Sequence, residues 1–121
     1  MALEYAAIYA LANRKITAAY TDGTSLWVST DTGEILKFTV ATGAFVSRLN
    51  QMPEEIISLA VSSTTLFAGT KNGNVYALTL STGAYASLPL VLDGEVTTLT
   101  VTSTTLIITT SNGKIYNYTI S

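Results

Sequence analysis

The sequence predicts an all-β chain made of three copies of one four-stranded unit. Three observations predict it: a self-similar register of 40 residues, short runs rich in β-branched and aromatic residues, and glycine turn pairs at fixed offsets in each copy. Residues 16–55 and 56–95 align without a gap at 11 identical positions of 40, and residues 96–121 match residues 56–81 at 12 of 26. Leu26, Leu66 and Leu106 coincide, as do Thr30, Thr70 and Thr110, and Gly33, Gly73 and Gly113. A length of 121 residues, with 48% hydrophobic and 12% charged residues, suits one small domain with a core rather than a disordered segment.

The middle copy shows each element most plainly. Residues 58–62 (SLAVS), 65–70 (TLFAGT), 74–80 (NVYALTL) and 85–91 (YASLPLV) are strand-length runs of Val, Leu, Thr and aromatic residues. Turn signals separate such runs along the chain: Asp22-Gly23, Asn72-Gly73, Asn112-Gly113, and Thr-Gly at 42–43 and 82–83. The third copy stops after its third strand. The missing fourth is found at the other end of the chain, where residues 4–15 align with residues 84–95 and place Tyr5 on Tyr85 and Ile8 on Leu88. The same stretch, Leu3 to Ala12, also has high helix propensity. A strand explains the truncated last copy as well as the register, whereas a helix rests on propensity alone.

The stretches LWVSTDTGEILKFTVATG, LFAGTKNGNVYALTLSTG and LIITTSNGKIYNYTIS resemble blades of the WD40-like, PQQ-like and two-component-regulator propeller repeats. The resemblance covers nearly the whole chain and implies a β-propeller of three four-stranded blades, in units 16–55, 56–95 and 96–121. It departs from the WD40 pattern in lacking the Trp-Asp and Gly-His dipeptides. It departs from the PQQ-like pattern before the Thr-Gly turn, where Thr39-Val40-Ala41 and Thr79-Leu80-Ser81 stand in place of an aspartate. No cofactor and no catalytic residue is therefore carried over.

Three blades leave two apolar end faces and an incomplete last blade. Two chains head-to-tail about a two-fold axis would make a six-bladed ring, with residues 4–11 of one chain pairing with residues 114–120 of the other. A nine-bladed homotrimer, and a fragment of a longer propeller, satisfy the same count.

Function is less legible. A net charge of −2 does not favour a nucleic-acid partner, and no run reaches the length of a membrane span. The apolar amino-terminal stretch carries Glu4 where a secretory signal would be positive, so no signal peptide is expected. The absence of His and Cys removes the usual zinc ligands and the usual general base, so no metal or cofactor is expected. Among propellers, the loops between second and third strands share one face with the links between blades, and the resemblance implies the same here. That face gathers Arg14, Lys15, Asp31, Glu34, Glu54, Glu55, Lys71, Asn72, Asp93, Glu95, Asn112 and Lys114. It is either a multivalent binding face or simply where charge goes when strands are buried.

Tyr5, Phe45 and Tyr85 share one position of the repeat, where they either stack on a sugar or pack between strands. Trp27 aligns with Phe67 and Ile107, an apolar series that predicts packing. The hydroxyls of Thr30, Thr70 and Thr110 are expected to satisfy backbone groups beside each glycine turn. The sequence predicts a non-catalytic, homo-oligomeric protein that binds a glycan or a protein through its loop face. The alternatives are a structural module without a small ligand and, more weakly, a glycoside hydrolase using Asp31 with Glu34 or Glu54.

Overall fold

The computed structural model describes residues 14–90 and 92–120, and within them every regular element is a strand. The first sheet holds β1 (Ile16–Thr21), β2 (Ser25–Thr30), β3 (Glu34–Thr39) and β4 (Phe45–Gln51). The second holds β5 (Ile56–Ser62), β6 (Thr65–Thr70), β7 (Val75–Thr79) and β8 (Tyr85–Ser87), and the third β9 (Val96–Val101), β10 (Thr105–Thr110) and β11 (Ile115–Thr119). Each sheet is an antiparallel meander in which sequence neighbours pair. The strand expected within residues 4–15 lies almost wholly outside the described residues.

The repeat extends to single hydrogen bonds. The Gly43 and Gly83 N–H groups donate to the carbonyls of Thr39 and Thr79, and the Val40, Leu80 and Ile120 N–H groups donate to those of Thr24, Thr64 and Thr104. Gly33, Gly73 and Gly113 adopt φ of 90°, 86° and 82°, the left-handed region where a side chain is strained. Every first strand carries an irregularity at the same place, around residues 17, 57 and 97. One extra residue there bends the strand as it leaves the interblade link.

Burial follows the alternation of side chains across each strand. Trp27 and Ile35 enter a core shared with Ile56, Leu59, Leu66 and Tyr76 of the second sheet, while Phe67 and Val75 enter a second core with Val96, Leu106 and Ile108 of the third. Trp27 is only 3% exposed, as the apolar series predicts. Val28, Leu36 and Phe38, on the alternate face of the first sheet, form a third cluster. Gly69 sets the approach of sheets two and three: a Cβ there would collide with the side chains of Ser58 and Val96. Ser58 Oγ donates to the Val96 carbonyl at 2.9 Å across the same seam.

The first strands stand side by side, β5 between β1 and β9, with no comparable contact between β1 and β9. The three sheets therefore form an open arc. An open depression of about 320 Å³ lies where the first strands converge, lined by residues 17–19, 57–59 and 97–99 of the three copies. The outer strands are more exposed, and β8 is shorter than the sequence suggests. Leu88 still donates across to the Val75 carbonyl, in register with β7, and the ladder ends where the chain turns at Pro89 and Leu90 donates back to the Leu88 carbonyl.

Candidate functional site

The loops between second and third strands meet the interblade links at one end of the arc. In each copy the residue after the second strand donates its N–H to the link that enters the same blade: Asp31 to Lys15, Lys71 to Glu55 and Ser111 to Glu95, at 3.0, 3.1 and 2.9 Å. The link that leaves the blade packs on the other side of the loop. Met52 N–H donates to the Gly33 carbonyl at 2.7 Å, and a Cβ on Gly73 would lie 2.9 Å from the Gly94 carbonyl.

Side chains reinforce this backbone clamp in all three blades, with different chemistry in each. In the first, Arg14 bonds both oxygens of Glu34 at 3.0 and 3.3 Å, and Arg48 approaches Glu34 Oε2 at 3.5 Å. In the second, Glu54 Oε2 accepts hydrogen bonds from Asn74 Nδ2 at 2.8 Å and from the Tyr76 hydroxyl at 2.7 Å. In the third, Asp93 pairs with Lys114 at 2.5 Å and accepts from the Tyr116 hydroxyl at 3.1 Å, while Asn112 bonds the Asp93 carbonyl. Each clamp joins a link residue to the start of the third strand, about 20 residues on.

These charges are not all solvated. Glu34 is 9% exposed and engaged with Arg14, Arg48, Thr30 and Thr32. Burial opposes its ionisation, but the Arg14 guanidinium, the Thr32 hydroxyl and Arg48 outweigh that and hold the carboxyl below its ordinary value. Burial likewise opposes charge on Glu54, and neighbouring donors including Thr70, Tyr76 and Asn74 lower it on balance. Lys114 lowers Asp93 in turn. Tyr76 is pushed up to about 12, first by burial and then by its bond to Glu54. Glu34 and Glu54, each paired with Asp31 in the hydrolase alternative, are thus shifted below their ordinary values.

Asp31, Lys71, Asn72 and Asn112 remain exposed at the loop tips. The candidate stacking rings are elsewhere. Phe45 pairs with Phe38 and Tyr85 with Leu78, at the far end of β3 and β7 from Glu34 and Asn74. Each ring is partly exposed, 44% for Phe45 and 38% for Tyr85, and packs edge-on against its own sheet, against Phe38 at 5.6 Å and Tyr76 at 5.5 Å. Tyr5 lies outside the described residues.

Thr30 and Thr70 hydroxyls accept the N–H groups of Glu34 and Asn74 at 3.2 and 3.0 Å, as expected from the repeat. Thr110 differs, since its hydroxyl is buried without a partner. Sequence reasoning missed Arg48, Tyr76 and Tyr116. The signal available was Tyr76 and Tyr116 recurring 40 apart, each two residues after a polar clamp residue.

Three antiparallel meanders, arrayed with their first strands inward and their loops and links at one end, define an arc of β-propeller blades. Solved structures agree with that class. The chain is similar to a chain in the crystal structure of a mitotic checkpoint complex, with TM-score 0.79, 14% identity, and 91% of this chain against 35% of that one. It is similar to the WD40 β-propeller domain of Doa1, with TM-score 0.76, 11% identity, and 88% against 38%. It is also similar to the computationally designed Ika4 protein, with TM-score 0.60, 15% identity and the whole length of both chains covered. The chain thus spans little more than a third of the length of each of the first two. No protein-family model matches the sequence, and no curated protein matches it. Among the described residues, no helix is long and apolar enough to cross a membrane.

Proposed function

We propose that the chain is a non-catalytic interaction module, half of a six-bladed ring, that binds another protein through the face where loops and links meet. The observation that carries this reading is the clamp repeated in three blades. Constant backbone bonds hold each loop while the exposed tips differ, as Asp31-Thr32, Lys71-Asn72 and Ser111-Asn112. A rigid scaffold with varied tips suits recognition at several points at once. A protein partner fits better than a glycan, because Phe45 and Tyr85 sit at the opposite end of the blades and already pack against Phe38 and Tyr76. Similarity to a chain of the mitotic checkpoint complex agrees with such a role.

In this reading a second copy closes the ring, and residues 4–11 of each chain complete the other's third blade. Deleting residues 1–12 would then abolish the discrete two-chain particle. The binding role is tested by selecting displayed peptides on the full chain and mapping their footprints by hydrogen exchange. Protection centred on residues 31–34, 71–74 and 111–114 is the expected result. Footprints on β4 and β8, or a glycan array that responds while peptides do not, would refute it.

A further inference from the structure

Corresponding residues of the three copies have very different exposure at the two ends of the arc. Ile56 and Val96, which open β5 and β9, are fully buried at 0%, yet Ile16, which opens β1, is 54% exposed. Ile35 and Val75 are also at 0%, yet Ile115 at the same position is 76% exposed. These positions meet at the inner seams: Ile35 shares a core with Ile56, and Val75 shares one with Val96. The glycine turns show the same break. Gly33 and Gly73 lie hard against the carbonyls of the following link, at Met52 and at Leu92 and Gly94, whereas a Cβ on Gly113 would meet nothing within 4 Å. The third blade thus presents the receiving half of a seam, with nothing seated on it among the described residues.

We infer that this face, carrying Ile107, Gly113 and Ile115, is a docking surface for the leading edge of a second copy of the chain, with Ile115 of one seated on Ile16 of the other. The inference rests on the ring reading above and assigns its contact residues. The occupant follows from continuity: 40 residues before Ile56 stands Ile16, and 40 before Glu54 stands Arg14, so the chain's own first blade carries what the face lacks. The Gly113 turn then receives the link around Arg14, as the Gly33 and Gly73 turns receive theirs. The two halves of the seam are different surfaces, so each chain offers one of each and two junctions close the particle.

The test uses the full chain, with mass measured by sedimentation equilibrium across micromolar concentrations. Wild type is expected near twice 12.8 kDa. Ile115→Glu and Ile16→Lys should each weaken association about 100-fold or more, because a charge is buried unpaired at both junctions. Mixing the two variants should restore a particle, since one junction then pairs Glu with Lys and the other remains Ile on Ile. Val46→Glu, at a residue 49% exposed on β4, should leave the mass unchanged. If Ile115→Glu proves unfolded by circular dichroism, Ile115→Thr reads the same contact as a smaller, about tenfold, loss. A two-chain wild type indifferent to both charges, or a mixture that does not recover, overturns this docking and leaves the ring reading standing. A wild type of 12.8 kDa at every concentration overturns both.

Discussion

Replacing Gly69 with alanine tests the close approach of sheets two and three. Its φ is not positive, so alanine fits the backbone, and any loss comes from space alone. The new methyl would lie 2.8 Å from Val96 Cβ and closer still to Val96 Cγ1 and Ser58 Oγ. Ordinary carbon contacts are about 3.5–4.0 Å, so β9 must retreat by about 1 Å. Overpacking of this kind costs about 1–3 kcal/mol. Displacing Ser58 removes its bond to the Val96 carbonyl, about 1 kcal/mol more. The restricted unfolded chain returns about 0.4–1 kcal/mol. The net loss is about 1–3.5 kcal/mol, or about 4–14 °C in Tm for a chain of this length. Urea unfolding at one fixed chain concentration measures it. Trimming the neighbour with Val96→Ala should shrink the effect of Gly69→Ala by about 0.5–1 kcal/mol in a double-mutant cycle. A loss below about 0.5 kcal/mol, with no coupling to Val96, would refute the packing argument.

Trp27→Ala should destabilise by about 3–5 kcal/mol, read by the same unfolding assay, because the ring is buried beside Tyr20 with Lys37 above it. Glu34 has a folded pKa below its ordinary 4.5, so its contribution is present above that value and lost as pH falls through the folded one. Acid unfolding curves of Glu34→Gln should be flatter than wild type over that interval. Tyr76, raised from 10.0 to about 12, favours the folded state below pH 10 and ceases to as pH climbs towards 12. Absorbance titration of Tyr76→Phe should therefore lack one late-ionising phenol that wild type shows.

The architecture was readable because the repeat constrains it three times over. Thr30 and Thr70 bond the N–H groups of Glu34 and Asn74, and Trp27 is packed as its apolar counterparts imply. Single-copy features were less readable. Gly69 aligns with Ser29 and Thr109, so nothing in the pattern marks a tight seam between the second and third copies alone. β8 ends early because the chain turns at Pro89, where Leu90 bonds back to the Leu88 carbonyl and leaves the ladder of an otherwise strand-like run. The charges were placed on the correct loops but not paired. Arg14 with Glu34 and Asp93 with Lys114 reverse sign between copies, and Glu54 takes neutral partners. Alignment preserves the position of such a contact and conceals its chemistry.

The clamp fastens each link to a turn of its own blade, so a unit carries its fastener with it. Lengthening the array by duplicating residues 56–95 would call for no type of joint that the protein does not already possess. Copy number is then separable from stability per unit, and the length of the arc becomes a matter of how many fasteners are strung together. A four-unit version of this chain is a natural way to ask how far the arc extends before its curvature changes.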